Sequence, residues 1–246
     1  MLLMNVLGDP VLSVIIPTKN EEKQITECLD SIRNQNTSVP YEVIIVDSSA
    51  TRHTFEIGEI YGAIVIQEPR HGKGIAVNTG AKHARGNILC FTEADCRVPP
   101  NWLDTIYEEF QHHPEAVAIV GDYVYHDSTW YYNLLAKIAL PISIWGFYLF
   151  KRNHSLRGTN FAIRTTAYHQ AGGFSPSARE LQDVELGLRV SKFGNIRYVP
   201  SLKITTSARR VHGRIFQFIR EFFPAIYRLF ILKQVPEEPT YEDIRY

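Results

Sequence analysis

Short apolar runs alternate with amphipathic stretches from residue 11 to residue 91, and this alternation restricts the chain to few folds. We predict four strands, at residues 11–16, 41–46, 63–67 and 87–91. The stretches between them have helical spacing, as in the first, where Ile25, Leu29 and Ile32 share one face. Strands that alternate with helices over short connections form a mostly parallel sheet with helices on both faces. The sequence therefore predicts an α/β domain with a Rossmann-like sheet.

Polar side chains follow each of the four predicted strands. They are Thr18, Asn20 and Glu21, then Asp47, then Arg70 and Lys73, and finally Glu93 and Asp95. Each of them taken alone is explained by a helix cap or a turn. The carboxyl ends of parallel strands meet at one edge of a sheet, however, and ligands of open α/β sheets bind at that edge. Four loops that converge there indicate a ligand site.

The fourth apolar run ends in an acidic loop, Thr92-Glu93-Ala94-Asp95, before two prolines. Two carboxylates at a sheet edge can hold a divalent cation, because Mg²⁺ and Mn²⁺ prefer oxygen ligands. The alternative is that Glu93 and Asp95 are turn and cap residues ahead of a helix near residue 101. Both interpretations stay open on this stretch alone.

The second half of the chain contains two segments whose composition suits a membrane surface. Residues 130–150 are rich in aromatic side chains, but their charge-free run contains Pro141 and is shorter than the ~20 apolar residues of a membrane span. We interpret this segment as a buried or substrate-lining helix pair, with an interfacial membrane segment as the alternative. From about residue 208, basic residues alternate with aromatic and aliphatic ones, which predicts an amphipathic helix that contacts an anionic membrane. The alternatives for this tail are a helix packed on the domain and a dimer contact.

These features divide the chain into a domain at residues 1–207 and a basic amphipathic helical tail at residues 208–246. Within the domain, beyond residue 91, we also predict a helix at residues 102–111 and strands at residues 116–121 and 196–199. No predicted strand covers residues 157–164.

The composition limits the expected partners and location. The 246 residues carry a formal net charge of zero and are 45% hydrophobic, which is typical of a globular protein and gives no electrostatic reason to expect a nucleic-acid partner. Three cysteines lack the paired spacing of a metal site, so we expect reduced thiols. The N-terminus lacks the pattern of a secretory signal. We therefore expect a cytoplasmic protein that binds peripherally to the cytosolic membrane face if the tail meets the membrane.

Seven segments together resemble the family 2 glycosyltransferases, which are inverting enzymes with the GT-A fold. They are SVIIPTKNEE (13–22), EVIIVDSSAT (42–51), GKGIAVNTGAKHARGN (72–87), FTEADCRVPPNWL (91–103), RGTNFAIR (157–164), GGF (172–174) and QDVELGLRV (182–190). Their order and spacing are specific as a set, and the resemblance extends from residue 11 to about residue 207. It implies transfer of a sugar from a nucleotide-diphosphate donor, a UDP- or GDP-sugar, to a hydroxyl of a glycan or a lipid-linked acceptor.

The resemblance also implies roles for individual residues. The positions that match the family's donor-binding residues are Pro17, Thr18, Asn20, Glu21, Asp47, Lys73, Asn78, Glu93 and Asp95. Within this set, Asp47 matches the aspartate that reads the base, and Asp95 matches the final aspartate of the DXD-type motif, which binds Mg²⁺ or Mn²⁺ on the diphosphate. Asp183 matches the catalytic base. The acceptor-side positions are Gly158, Thr159, Asn160 and Glu185.

The chain departs from the family pattern at three places. Glu93 stands where the metal motif has its first aspartate, and Gln182 stands where an acidic residue is common beside the base. The loop after Asp47 lacks the usual second aspartate and glycine, so the resemblance leaves the base preference undefined. His212 is a further candidate metal ligand, because some relatives use a histidine beyond the base.

Two other functions are compatible with an α/β sheet that carries acidic residues at one edge. A nucleotidyltransferase that makes a nucleotide sugar is one, although residues 11–22 lack its glycine-rich basic signature. A nucleotide-sugar-binding protein without turnover is the other, and the presence of both Asp95 and Asp183 speaks against it.

Overall fold

The computed structural model describes residues 8–127, 156, 158–175 and 182–209, and eight strands within them form one sheet. The strands are β1 (Leu12–Thr18), β2 (Tyr41–Asp47), β3 (Ile64–Gln67), β4 (Ile88–Phe91), β5 (Cys96–Arg97), β6 (Ala116–Tyr125), β7 (Phe161–Arg164) and β8 (Asn195–Thr206). The helices are α1 (Ile25–Arg33), α2 (His53–Tyr61), α3 (Lys73–His83), α4 (Trp102–His112), α5 (Thr165–Gln170) and α6 (Gln182–Val190). The strand order is β3-β2-β1-β4-β7-β6-β8-β5.

The sheet is mostly parallel, as the sequence predicts. β1 pairs in parallel with β2 and β4, and β2 pairs in parallel with β3. β7 lies antiparallel between β4 and β6, so β6 and its parallel neighbour β8 point the same way as β1. Among the described strands only β5 and β7 oppose this direction. The loops that leave β1, β2, β3 and β4 consequently open at one edge of the sheet.

Two apolar layers, one on each face of the sheet, hold the fold together. Val14 and Ile16 of β1 face the layer under α1 and α4, in which Trp102 is fully buried. Ile15, which lies between them, belongs with Phe91 to the layer under α3, α5 and α6. A strand covered on both faces must be apolar at successive positions, because neighbouring side chains point to opposite faces. Full burial of each such side chain stabilises the fold by about 1.5–3 kcal/mol.

Two parts of the sheet differ from the prediction. β7 lies at the centre of the sheet, although the sequence pattern predicted no strand there. β6 and β8 continue beyond the predicted 116–121 and 196–199, because their second halves pair with each other from Asp122 opposite Lys203 to Tyr125 opposite Thr206. This ladder follows a register irregularity after Val120. The length of these two strands is determined by pairing between segments that are distant in sequence, and local apolar spacing does not predict such pairing.

Several sequence predictions concern residues that the structure does not describe. These are the aromatic segment at residues 130–150, the tail beyond residue 209, and His212. Among the described residues, no helix has both the length and the apolar character needed to cross a membrane. Cys28, Cys90 and Cys96 are buried free thiols, as their odd number predicts.

Candidate functional site

Asp47 ends β2 with its carboxylate fully buried, and its two oxygens have different surroundings. Thr18 lies opposite Asp47 in the β1–β2 register, and its hydroxyl donates to Oδ1 over 3.0 Å. Ser49 donates to the same oxygen from its N–H at 3.1 Å and from its hydroxyl at 2.6 Å. Oδ2 is buried and has no hydrogen-bond partner in the described structure. An unsatisfied buried acceptor is costly, so Oδ2 is the Asp47 oxygen that can still accept a hydrogen bond from an N–H or O–H group.

The loop after β1 lies against the Asp47 carboxylate. Asn20 has a φ of 53°, in the left-handed region that asparagine tolerates. Its N–H donates to Ser49 Oγ over 2.7 Å, which joins the loops that follow β1 and β2. Pro17 pairs with Val46 inside the sheet. The structure therefore brings Pro17, Thr18 and Asn20 close to Asp47, and their contact with a donor stays a prediction.

Arg70 follows β3 but forms a local ion pair. Its guanidinium donates to both oxygens of Glu68, at 2.8 Å from Nε and 2.7 Å from Nη2. Thr79 on α3 donates to Glu68 Oε2 over 2.6 Å. These bonds, led by those from Arg70, lower the pKa of Glu68 to about 2. The Arg70 guanidinium is thus engaged by Glu68 at the edge where we expected a ligand contact.

Two cations contact the acidic loop, one from each side. Lys73, the first residue of α3, forms an ion pair with Glu93. Arg209 Nη2 lies 3.4 Å from Asp95 Oδ2 and also forms a closer ion pair with Glu21. Glu21, Glu93 and Asp95 are all buried. The site therefore concentrates negative charge that the protein's own cations partly neutralise.

Lys73 also connects the acidic loop to Asp183. Its Nζ donates to Gly158 O over 3.0 Å, and the Gly158 N–H donates to Asp183 Oδ2 over 2.9 Å. A Cβ at position 158 would lie 3.1 Å from Lys73 Nζ and 3.3 Å from Asp183 Oδ2, so glycine permits the close approach of both. The contacts form a continuous path from Glu93 through Lys73 and Gly158 to Asp183, which we call the Lys73 path.

Asp183 lies in the first turn of α6 and stays partly accessible to solvent. Desolvation by the surrounding protein raises the pKa of Asp183 above its ordinary value. The Lys73 charge and the N–H groups of Gly158 and Val184 act in the opposite direction, and the Val184 N–H lies 3.0 Å from Oδ1. A carboxylate with a raised pKa is a stronger proton acceptor than an ordinary aspartate. Asp183 is therefore a partly exposed carboxylate with a raised pKa, and its role as a base stays a prediction.

The acidic loop fits a divalent cation that arrives with a phosphate ligand. Asp95 and Glu93 supply the hard oxygen atoms that Mg²⁺ and Mn²⁺ prefer, and the Arg209 contact shows that Asp95 accepts a positive charge. Within the described ranges, no three His, Cys, Asp or Glu side chains form a self-sufficient metal site. A cation held by one or two carboxylates and completed by substrate phosphates needs no such set.

Asn78 is engaged by the glycine turn that follows α5. Its Nδ2 donates to Phe174 O, and its Oδ1 accepts from the Phe174 N–H, both over 2.8 Å. The Tyr168 hydroxyl donates to the same Oδ1 over 2.6 Å. Gly173 has a φ of 66°, and a Cβ there would lie 2.5 Å from Asn78 Oδ1. Asn78 thus fixes this turn, and its contact with a donor stays a prediction.

Asn160 is completely buried, and its side chain links α4, β6 and β8. Its Oδ1 accepts from Trp102 Nε1 over 2.9 Å, and its Nδ2 donates to Asp122 O and Leu202 O, both over 2.8 Å. Loss of this amide would leave one buried donor and two carbonyls without their present partner, at about 1–3 kcal/mol for each unsatisfied group. Asn160 therefore stabilises the fold, and its predicted acceptor-side role is untested.

The other acceptor-side residues have different surroundings. Gly158 contacts Asp183 directly through its N–H. Thr159 Oγ1 is buried and has no hydrogen-bond partner within the described part of the chain, so it can receive a ligand contact. Glu185 accepts two bonds of 2.6 Å from Arg189 and forms an intrahelical ion pair. The acceptor-side roles of Gly158, Thr159 and Glu185 stay predictions.

Ser49 and Arg209 were not among the predicted site residues. The sequence contains a local signal for the Ser49 contact. An aspartate at the end of a strand often accepts a hydrogen bond from the N–H group two residues later, in an Asx turn, as Asp47 does from Ser49. The sequence contains no local signal for the Arg209 contact. Arg209 and Glu21 are 188 residues apart, and only the fold brings them together.

Comparison with solved structures identifies the class of fold. The mannosyltransferase PcManGT from Pyrobaculum calidifontis, in complex with GDP-Man and Mn²⁺, matches with a TM-score of 0.71 at 22% identity, over 95% of this chain and 67% of that chain. S. aureus TarS 1-349, in complex with UDP-GlcNAc, matches with a TM-score of 0.62 at 22% identity, over 80% of this chain and 58% of that chain. At this identity the likeness concerns the fold alone, and it confirms the predicted GT-A fold.

The family model for glycosyl transferase family 2 matches residues 13–179, and the chain belongs to that family. Among curated proteins, the glycosyltransferase AglE from Haloferax volcanii is 34% identical over 102 residues, which cover 39% of this chain and 34% of that protein. The chain spans between about a fifth and a half of the length of the first curated relatives it matches. Family membership confirms the resemblance and counts against the nucleotidyltransferase alternative.

Proposed function

We propose that the chain is an inverting glycosyltransferase that moves a sugar from a nucleotide-diphosphate donor to an acceptor hydroxyl. The observation that carries this proposal is the Lys73 path, which joins an acidic loop suited to a metal-bound diphosphate to a carboxylate suited to proton abstraction. Membership of family 2 supports it, as do the nucleotide sugars in the complexes of PcManGT and TarS.

The nucleoside would bind where the loops after β1 and β2 meet. Thr18 and Ser49 orient the Asp47 carboxylate through Oδ1, which leaves Oδ2 to accept a hydrogen bond from the base. The imide N–H of uracil and the ring N–H of guanine are both suitable donors to this oxygen. The Asp47 contact is therefore compatible with binding of a UDP-sugar or a GDP-sugar and does not discriminate between the two bases.

Replacement of Asp47 with asparagine should weaken binding of the donor nucleotide. The amide keeps an acceptor for Thr18 and Ser49 but places a donor where Oδ2 was, opposite another donor. We expect a loss of about 1.5–3 kcal/mol, or roughly ten- to hundredfold in Kd, by calorimetry with UDP and GDP. Asp30→Asn on the surface of α1 is the matched control and should leave the Kd unchanged. Equal Kd values for the wild type and Asp47→Asn would overturn the role of Asp47.

Negative charge that develops on the leaving diphosphate needs compensation. Asp95, with Glu93 close by, would hold Mg²⁺ or Mn²⁺, which when bound supplies Lewis-acid stabilisation of the departing phosphate oxygen. The Lys73 ammonium lies against Glu93 and adds a fixed positive charge at the same place. The N-terminus of α3, where Gly74 is buried, directs backbone N–H groups toward anions.

Asp183 is the proposed general base. The acceptor hydroxyl attacks the anomeric carbon from the face opposite the diphosphate, and the new C–O bond forms as the bond to the phosphate oxygen breaks. The hydroxyl proton passes to the Asp183 carboxylate, and the leaving group departs as the nucleoside diphosphate. One displacement inverts the anomeric centre without a covalent intermediate. The N–H groups of Gly158 and Val184 hold the carboxylate in a fixed orientation during this step.

The rate of transfer should fall as the pH drops through the pKa of Asp183. The base acts when deprotonated, so activity is complete above this pKa and is lost below it. Because burial raises the pKa of Asp183 above 3.8, the acid limb should lie at higher pH than for an ordinary aspartate. The measurement is kcat/KM from about pH 4 to pH 8, with circular dichroism to show that the fold persists. A rate that stays constant from about pH 8 down to about pH 4 would contradict the assignment.

We also propose that the acceptor is a glycan or a lipid-linked molecule and that the protein works at the cytosolic membrane face. The composition of residues 130–150 and of the tail at residues 208–246 supports this location, and the boundary between domain and tail is part of the same proposal. The full chain should sediment with anionic vesicles in low salt, because basic amphipathic segments bind such surfaces. A full chain that stays in the supernatant would count against the membrane contact.

A further inference from the structure

Asp127, which follows β6, fixes the chain that follows β8. Ser207 Oγ donates to Asp127 Oδ2, and the Ala208 N–H donates to Oδ1. The Arg209 N–H donates to Ser207 Oγ over 3.2 Å, so the backbone turns back on itself at this point. Ala208 is buried. These contacts place the start of the Arg209 side chain at a defined position above the carboxyl end of the sheet.

From this position the Arg209 guanidinium reaches two carboxylates from other parts of the chain. It forms a close ion pair with Glu21, and its Nη2 lies 3.4 Å from Asp95 Oδ2. The side chains of Glu21 and Asp95 are only 4% and 2% exposed, whereas that of Arg209 is 33% exposed. The carboxylates are thus fixed in the protein, while the cation lies on the solvent side and can leave.

Asp95 is the residue that we propose as the metal ligand, so a divalent cation and Arg209 require the same carboxylate. Two positive groups a few ångströms apart repel each other, and partial burial reduces the screening by water. Binding of the metal must therefore displace the guanidinium from Asp95 or work against its charge. The Arg209 guanidinium makes this contact with Asp95 in the described structure.

We propose that Arg209 is a resident counter-cation of Asp95 that exchanges with the divalent metal, so that metal binding displaces the Arg209 guanidinium from Asp95. Arg209 is in this view a positioning residue, and the inference rests on the proposed function of Asp95. Its consequence is a coupling between occupancy of the metal site and the position of the Arg209 side chain.

The test is a titration of this chain, residues 1–246, with MnCl₂ alone, in which the electron paramagnetic resonance signal of free Mn²⁺ gives the Kd. Arg209→Met removes the competing charge and should tighten Mn²⁺ binding by about tenfold, whereas Arg209→Lys keeps the charge and should stay within about threefold of the wild type. Arg97→Met is the matched control, because Arg97 lies in the neighbouring strand β5 and pairs with Glu27. Its Kd should equal that of the wild type.

A measurement on the wild type alone makes the test independent of how the variants fold. Trypsin must take the Arg209 side chain into its own pocket, so release of Arg209 should speed cleavage after this residue. Addition of MnCl₂ should raise that cleavage rate by about threefold or more relative to the other tryptic sites, measured by mass spectrometry.

The outcomes separate this inference from the proposed function. If the wild type and Arg209→Met bind Mn²⁺ equally, if Arg97→Met or Arg209→Lys tightens binding as much as Arg209→Met, or if MnCl₂ leaves cleavage after Arg209 unchanged, Arg209 is not the exchanged cation. If the wild type binds Mn²⁺ alone no better than Asp95→Ala does, Asp95 holds no cation without a phosphate ligand and the exchange with Arg209 falls. The Mn²⁺ dependence of donor binding then tests the proposed metal site separately.

Discussion

Replacement of Asp183 with asparagine should lower kcat by at least about a hundredfold, because a positioned general base contributes roughly 10²–10⁴ to the rate. Asparagine keeps the size of the side chain but has one acceptor oxygen, whereas Gly158 and Val184 donate to different oxygens of Asp183, so it keeps only one of these two bonds. It also cannot take the acceptor's proton. The donor-binding contacts at Asp47 belong to other loops, so the Kd for the donor nucleotide should stay within about twofold. Steady-state kinetics and calorimetry on the same preparation measure both quantities.

The matched control for Asp183→Asn is Asp104→Asn. Both aspartates lie in the first turn of a helix, where loss of the negative charge removes the same favourable interaction with the helix dipole. Asp104 accepts a hydrogen bond from Thr37, which asparagine can still accept, and it lies outside the Lys73 path. The control should retain the wild-type kcat. A variant at position 183 with wild-type kcat would remove Asp183 as the base.

Replacement of Asp95 with alanine should abolish the metal dependence of donor binding. In the presence of Mn²⁺ we expect the Kd for the nucleotide sugar to rise by about a hundredfold, since a ligating carboxylate and its charge are both lost. In the presence of a chelator the wild type and the variant should bind the donor equally weakly. Calorimetry with and without Mn²⁺ gives all four values.

A control variant that loses a carboxylate elsewhere separates loss of the metal ligand from loss of negative charge in general. Asp30→Ala on α1 removes a surface carboxylate that pairs with Arg33, and it should keep the full response to Mn²⁺. Retention of the Mn²⁺ response by Asp95→Ala would contradict the metal assignment. An equal loss in both variants would show that overall charge, not the acidic loop, controls donor binding.

The sequence predicts the parallel half of the sheet because each element there has a local signal. The strand that ends at Thr18 and the strand that ends at Asp47 are continuous apolar runs, and a parallel register places those two residues side by side. The expectation that polar residues after these strands share one edge follows from that geometry alone. The contact between Thr18 and Asp47 confirms it.

The antiparallel half and the surroundings of the acidic loop have no comparable signal. β7 is four residues long and owes its place to pairing with β4 and β6, which are distant in sequence. Asn160 is an ordinary polar residue in the sequence and becomes a fully buried link only when Trp102 and Leu202 surround it. The partners of such side chains are decided by tertiary contacts, which local propensity does not contain.

The charged partners of Asp95 also could not be predicted from local sequence. The sequence indicates that Asp95 attracts a cation, but Arg209 lies 114 residues away and belongs to a region with many basic residues. Nothing in the spacing singles out this arginine. Only the anchoring of Ser207 and Ala208 on Asp127 brings it to the acidic loop.

The measurement that tests the central claim most directly is a thermal-shift screen of UDP-, GDP- and TDP-sugars, each with Mn²⁺, Mg²⁺ or a chelator. A ligand that binds only the folded state at about 100 times its Kd adds about 2.7 kcal/mol of stability, and each kcal/mol raises Tm by about 2–4 °C for a chain of this size. The account predicts a rise of that order with one nucleotide class, present with the metal and lost with the chelator. No rise with any nucleotide sugar, or a rise that the chelator leaves intact, would contradict a metal-dependent donor site.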